Sequence, residues 1–258
     1  MMEPEGSHSG SQTATRSTAL RERSGGINNL KAKISGIKGI VTDIDGTLTD
    51  RNRRLDFDAA AALRKVADSG IRVILATGNV LPIAYSFLKM IGLDGAIVAE
   101  NGGILYYNQK VEYLNSVQEP QKAYDFLRKQ MKVERLFTDR WRVTEIALEP
   151  NVDPDIVRRI LKPFSVHVEY SGFAIHIESN NYLKFGAVRR AASVMGLDVE
   201  EMAAFGDGEN DIEMLKGCRY GIAVGNAPDS VKEAADYSAE AEHGKGFVEG
   251  LRWLGFKV

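Results

Sequence analysis

An open, parallel α/β sheet of Rossmann type, interrupted by a smaller α+β insertion, is the fold this sequence predicts. Three observations carry that expectation. From Ile37 onward, short apolar runs alternate with segments of helical period; the middle of the chain changes to strands of period two; and the first rhythm returns after Asn180.

In order, Ile37 to Ile44 reads as a strand, Ala59 to Ala67 as a helix closed by Gly70, and Ile71 to Ala76 as a second strand. Ile83 to Ile91, closed by Gly92, reads as a helix that accepts Pro82 in its first turn, and Ala96 to Ala99 as a third strand. Strands separated by helix-length crossovers pair in parallel, with right-handed connections. In the middle, Val111 to Leu114, Val143 to Leu148, Val166 to Tyr170 and Phe173 to Ile177 are strand candidates, with helices at about 119 to 131 and 153 to 161. Phe173, Ile175 and Ile177 alternate with Ala174, His176 and Glu178, which predicts a sheet with one face exposed. After Asn180 come a helix at about 184 to 195, a strand at 202 to 206, a helix at 210 to 216, a strand at 220 to 224 and a final helix at 245 to 253. The expected organisation is an extension over residues 1–36, a core over 37–107 and 180–258, and an inserted α+β unit over 108–179. The extension is rich in Ser, Thr, Gly and Glu and reads as disordered; Glu3, Glu5 and Glu22 argue against an acid-poor transit peptide.

Composition narrows the function. The chain has 258 residues, 44% hydrophobic and 26% charged, as soluble globular proteins do. Thirty-three basic against 35 acidic side chains leave no electrostatic footprint for nucleic acid. No apolar stretch is long enough for a membrane span. One cysteine, Cys218, allows no internal disulfide and fits a reducing, cytoplasmic compartment. Four scattered histidines suggest no imidazole metal centre, so a metal here is expected to be held by oxygen. A homodimer is compatible with the chain but not specified by it.

The chemistry is concentrated at strand ends, where open α/β sheets bind ligands. Asp43-Ile44-Asp45-Gly46-Thr47 follows the strand residues Ile40-Val41 and delivers two carboxylates into one crevice. Read as an EF-hand loop it fails, because Leu48 stands where Gly is required and Arg54 where the bidentate Glu is required. A second cluster, Gly206-Asp207-Gly208-Glu209-Asn210-Asp211, follows Met202 to Phe205 and fails as an EF-hand at Ile212 and Cys218. Two such clusters in one sheet can converge on a hard cation such as Mg²⁺. Thr77-Gly78-Asn79, between a strand and a helix, combines a hydroxyl, a glycine and a helix start, which suits a phosphate, although Thr77 and Asn79 would serve equally as helix caps. No G-x-x-x-x-G-K-[ST] occurs, which disfavours a P-loop nucleotide hydrolase.

These residues resemble the four motifs of the haloacid dehalogenase superfamily of phosphatases, in order: Asp43-x-Asp45-Gly46-Thr47, Thr77, Lys184, then Gly206 to Asp211. Lys184 is found by motif order alone, since chemistry does not single it out among many lysines. The insertion falls where that superfamily places a C2-type cap. Its Thr138 to Arg142 and Tyr170-Ser171-Gly172, with Glu100 to Gly103 before it, look like those of the archaeal phosphoglycolate phosphatases. The resemblance implies a Mg²⁺-dependent hydrolysis of a small phosphorylated metabolite, 2-phosphoglycolate above all. Asp43 would be the nucleophile, giving an aspartyl-phosphate, and Asp45 the general acid and base. Asp43, Asp45 through its backbone carbonyl, Asp207 and Asp211 would hold the metal. Thr77, Gly78, Asn79, Lys184 and Asn210 would surround the phosphate. A sugar-phosphate phosphatase or phosphomutase shares Asp43 and Asp45, and a silent phosphate-binding module is the reading from another class.

Substrate choice is expected to come from the insertion. Arg142, supported by Arg140 on the same strand face, offers a guanidinium fork to a substrate carboxylate. Trp141 reads as core of the insertion, His176 as an ordinary sheet histidine and Cys218 as structural.

Overall fold

The computed structural model describes residues 36–180 and 183–258; apart from Gly36, the expected extension lies outside them. The apolar run after Gly36 forms β1 (Gly39–Thr42), fully buried at the centre of a sheet. On one side it pairs in parallel with β2 (Arg72–Ala76), which pairs with β3 (Ala96–Ala99). On the other side it pairs with β9 (Met202–Gly206), followed outward by β10 (Tyr220–Ala223) and β11 (Tyr237–Ser238), all parallel. The chain therefore winds outward in both directions from β1. That switch point opens a crevice beyond the carboxyl ends of β1, β2 and β9.

Helices cover both faces, as a parallel sheet requires. On one face, α1 (Phe57–Asp68), α2 (Leu81–Ile91) and α8 (His243–Leu254) bury Leu63, Leu88 and Phe247 against Ile40, Leu75 and Phe205. On the other, α5 (Lys184–Val194), α6 (Ile212–Gly217) and α7 (Asp229–Ala234) bury Val188, Met214 and Val231 against Val41, Ile74 and Ala204. Helix α2 starts with proline in its first turn and ends at Gly92 in the left-handed conformation, as its sequence signals require. The observed fold is the expected α/β one.

Strand β4 (Ile104–Tyr107) turns back antiparallel on β3, and β5 (Lys110–Tyr113) pairs antiparallel with β4. Both complete an eight-stranded sheet. The strand read as the start of the insertion therefore belongs to the large sheet, and the expected boundary at residue 108 is corrected to a point after Tyr113. The tight turn at Asn108 and Gln109, both at positive φ, makes this a hairpin. Sequence reading missed it because Ile104 to Tyr107 lacks a period-two pattern.

A second, three-stranded antiparallel sheet has the order β6-β8-β7, from β6 (Ile146–Leu148), β7 (Val166–Tyr170) and β8 (Ile175–Ser179). Helices α3 (Gln118–Gln130) and α4 (Pro154–Leu161) pack Leu127, Val157 and Leu161 onto Ile146, Ile175 and Ile177. The opposite face was expected to be exposed, and this is corrected: His176 and Glu178 are buried, His176 against the crevice and Glu178 in a neighbouring pocket with Asn101 and Lys184. Strand β6 is also shorter than the expected Val143 to Leu148. Residues Phe137–Trp141 form a 3-10 turn instead, fixed by buried Asp139, whose carboxylate accepts from Ala147 N at 2.7 Å and Arg135 Nη1 at 3.0 Å. No helix among the described residues is long and apolar enough to cross a membrane.

Candidate active site

The crevice is lined by Asp43 and Asp45 beyond β1, Gly78 and Asn79 beyond β2, Asp207, Gly208, Asn210 and Asp211 beyond β9, and the insertion's Arg142 and His176. Asp43 is nearly buried, with its backbone N–H donating to Phe205 O at 2.9 Å, which ties the end of β1 to β9. The next turn passes through Gly46 at φ +89°, where a Cβ would lie 2.2 Å from Asp207 Oδ2. Only glycine permits both the backbone angle and the approach.

Lys184 opens α5 and is almost fully buried. Its Nζ donates to Asp43 Oδ1 and to Asp211 Oδ1, each at 2.6 Å. Burial alone would lower its pKa, but Asp211 and Asp43 more than offset that and hold it above the ordinary lysine value. Burial raises the Asp43 pKa well above the usual carboxylate range; Lys184 offsets this only in part, and Asp211, Asp207 and Asp45 add repulsion. Asp207 is pushed up to about 7, by burial first and then by Asp211. Its Oδ1 accepts from Thr47 Oγ1 at 2.9 Å. Asp211 Oδ2 accepts from Asp207 N and Gly208 N, both at 3.0 Å, so Asp211 holds the loop that presents Asp207.

Carboxylate oxygens of Asp43, Asp207 and Asp211 lie within 4.8 Å of one another. Three anionic groups face one ammonium in a low-dielectric site, and all their free ligand atoms are oxygen. That donor set fits a hard divalent cation, which would supply the missing positive charge. A second close group, Glu145, His176 and Glu178, is different, because Arg142 already provides a cation on Glu145.

Asp45 is partly exposed, two residues beyond Asp43. Asn79 Nδ2 donates to its Oδ2 at 3.4 Å, and Arg53 Nε is 3.9 Å from its Oδ1. Thr77 is fully buried behind the crevice wall, and its Oγ1 accepts from Asn79 N at 2.9 Å in the turn before α2; the helix's N-cap is Val80 without a side-chain cap, so neither Thr77 nor Asn79 caps it. Asn210 Nδ2 donates to Asn101 Oδ1 at 3.3 Å. The residues of the four motifs thus meet in one place.

The insertion's residues are partly as expected. Arg142 reaches the crevice, where its Nη1 donates to Gly78 O at 2.8 Å and contacts Glu145. Arg140 does not join it, which corrects the expected shared face: in the 3-10 turn Arg140 points outward, 4.5 Å above the Phe137 ring. Trp141, expected in the core, is 47% exposed. His176, expected to be an ordinary sheet histidine, lines the crevice between Glu145 Oε1 at 3.0 Å and Ser171 Oγ at 3.2 Å. Burial, then Arg142, pushes its pKa well below the usual value, so the imidazole is neutral and donates Nδ1–H to Glu145.

Several supporting residues escaped sequence reading. Asn226 Nδ2 donates to Gly46 O at 3.1 Å and Asp207 Oδ2 at 3.0 Å, and its Oδ1 accepts from His243 N at 2.7 Å. The strand-end rule applied to β10 would have found it. Glu100 and Asn101, of the Glu100 to Gly103 segment that the resemblance did single out, are both at positive φ and join the two units: Glu100 Oε2 accepts from Thr144 N at 2.9 Å and Thr144 Oγ1 at 2.6 Å. A buried carboxylate such as Glu145 carries no local sequence signal.

The sequence pattern of the haloacid dehalogenase-like hydrolases matches residues 40–143 and 148–251 of this chain. The phosphoglycolate phosphatase of Methanothermobacter thermautotrophicus is 39% identical over 205 residues, spanning 80% of this chain and 93% of that protein. The phosphoglycolate phosphatase of Methanosarcina acetivorans is 41% identical over 211 residues, spanning 80% and 92%. A crystal structure from Thermoplasma acidophilum has a TM-score of 0.78 at 26% identity, covering 84% of this chain and 98% of that one. A haloacid dehalogenase-like hydrolase from Bacteroides thetaiotaomicron has a TM-score of 0.69 at 22% identity, covering 84% and 99%, a likeness of fold alone.

Proposed function

Because this chain belongs to the haloacid dehalogenase-like hydrolase family, we propose that it is a Mg²⁺-dependent phosphatase that converts 2-phosphoglycolate to glycolate and phosphate through a phosphorylated Asp43. The observation that carries the reading is Lys184 bridging Asp43 and Asp211 at 2.6 Å, two carboxylates that line the crevice together with Asp45 and Asp207. The substrate follows from the relatives that bear that name at 39% and 41% identity.

The chemical problem is attack by a carboxylate on an anionic phosphoryl group. Asp43, Asp207 and Asp211 would hold Mg²⁺ together with the Asp45 backbone carbonyl. The ion supplies charge neutralisation on phosphoryl oxygens, which lowers the repulsion between nucleophile and substrate. Lys184 brings a permanent positive charge to the same place and keeps the Asp43 carboxylate oriented. Asp43 attacks phosphorus, and the alkoxide leaves with a proton from Asp45. Asp45 then takes a proton from the water that hydrolyses the aspartyl-phosphate. Asp45 suits both roles because its carboxylate is partly open to solvent, while that of Asp43 is nearly buried. Asn79 orients Asp45, Asn210 and the Thr77-Gly78 backbone border the phosphoryl group, and Arg142 receives the carboxylate of the substrate.

Initial rates on a panel of phosphorylated metabolites with Mg²⁺ test this reading. The highest kcat/KM is expected for 2-phosphoglycolate; a sugar phosphate far ahead of it would replace the substrate assignment, and no turnover of any phosphomonoester would remove the catalytic one.

A further inference from the structure

Arg53 has no part in the four motifs, yet it lines the same crevice as Arg142, reaching it from the core where Arg142 reaches it from the insertion. It sits in a loop closed by the Thr49–Leu55 bridge, directly after the Asp43–Thr47 turn. The loop is built to hold it. Asp50 Oδ1 accepts from Asn52 N at 2.8 Å and Arg54 N at 2.9 Å, and Arg53 N donates to Asp50 O at 2.8 Å. Arg53 itself has φ +60°, an angle that costs a branched or long residue energy and is kept where the surroundings impose it. Its guanidinium lies 4.5 Å above the Phe173 ring of the insertion, so it spans the crevice mouth from core to insertion. Its nearest anion, Asp45, is 3.9 Å from Nε, too far for a hydrogen bond.

Arg142 mirrors it from the insertion. Its side chain is 3% exposed, and its Nε is buried with no hydrogen-bond partner. An unpaired buried guanidinium N–H is costly, and an acceptor entering the crevice would satisfy it. Burial lowers the Arg142 pKa, opposed by the carboxylates of Glu100, Asp139 and Glu178, while Arg53 adds a smaller lowering.

We propose that Arg53 and Arg142 form a two-sided clamp for the second anionic group of the substrate, a carboxylate carried by the leaving group, with Arg53 the specificity residue that closes the core side. The clamp rests on the phosphatase reading above and deepens it by assigning Arg53, which that reading leaves without a role. Phe173 fixes the plane of Arg53, so the planar fork arrives preformed and little side-chain freedom is lost on binding. Leu136 and Ala174 wall the same space and limit the leaving group to a short chain.

The test is isothermal titration, with Mg²⁺ present, of 3-phosphonopropionate, which carries the carboxylate and cannot be hydrolysed, against propylphosphonate, which has a methyl group in its place. Wild type is expected to bind the first more tightly. Arg53→Gln is expected to reduce that preference roughly ten- to a hundredfold, the worth of a charge-assisted hydrogen bond, by weakening 3-phosphonopropionate. Arg53→Lys is expected to recover part of it, since charge returns without the stacked fork. Arg142→Lys is expected to lose preference in the same way, and thermal unfolding checks that each variant folds. Equal weakening of both ligands in Arg53→Gln would overturn the clamp, because Arg53 would then serve Asp45 or the loop. So would an undiminished preference. Turnover of 2-phosphoglycolate by wild type is scored separately: if it proceeds while the preference is absent, the clamp fails and the phosphatase stands.

Discussion

Asp43 sits where three carboxylates and one ammonium crowd together, so its surroundings rather than its own chemistry define its role. Asp45, two residues away, keeps one edge in solvent and lacks that enclosure. The division predicts distinct losses. Asp45→Asn is expected to fold normally and bind Mg²⁺, with kcat reduced about 10²- to 10⁴-fold, the usual worth of general acid and base assistance; metal titration followed by steady-state kinetics separates the two effects. Gly46→Ala would place a methyl 2.2 Å from Asp207 Oδ2 at a left-handed backbone angle. It should therefore weaken Mg²⁺ binding and lower stability together, a pairing that a purely catalytic defect would not give. Asp43, Asp45, Asp207 and Asp211 were legible because carboxylates at the ends of buried strands have no structural reason to be there. Lys184 became legible only through motif order. Glu145, Asn226 and Arg53 were not legible: their significance lies in partners from 31 to 180 residues away and across the crevice.

At the scale of elements, the parallel strands were read closely because buried strands without polar interruptions leave one interpretation. The insertion was read less well. Strand β8 has period two, but its polar side is buried rather than wetted, which alternation alone does not distinguish. Its Glu178 carries the consequence. Burial pushes its carboxyl up to about 8, with nearby His167 opposing. The folded chain then retains a proton that the unfolded chain releases near 4.5. Stability is thus greatest below about pH 4.5 with respect to this group and is lost as pH rises toward 8. Urea midpoints should fall between pH 6 and pH 8.5 for wild type more than for Glu178→Gln; parallel shifts would mean that Glu178 is ionised at both values. The insertion's core offers a separate check: Leu127, fully buried between α3 and its sheet, should cost about 2–5 kcal/mol of unfolding free energy when replaced by Ala.

For the whole molecule, the order of events along the chain explains why the site assembles. Strands β1, β2 and β9 are adjacent only because the sheet winds outward in two directions, and the insertion lies between them in sequence, so it returns over the crevice they create. Glu100 and Arg142 then tie insertion to core through Thr144 and Gly78 O. On the reading proposed above such an assembly would depend on an oxygen-liganded ion, and chelation by EDTA should silence it. Mg²⁺ should restore the rate and Ca²⁺ should not, since calcium's longer bonds and higher coordination number misplace the nucleophile. The central claim is that Asp43 itself takes the phosphoryl group, and its most direct test is the rate of Asp43→Asn on 2-phosphoglycolate in saturating Mg²⁺, with the fold verified by circular dichroism. Turnover is expected to vanish into the uncatalysed background. An Asp43→Asn enzyme that kept a rate near wild type would contradict the account.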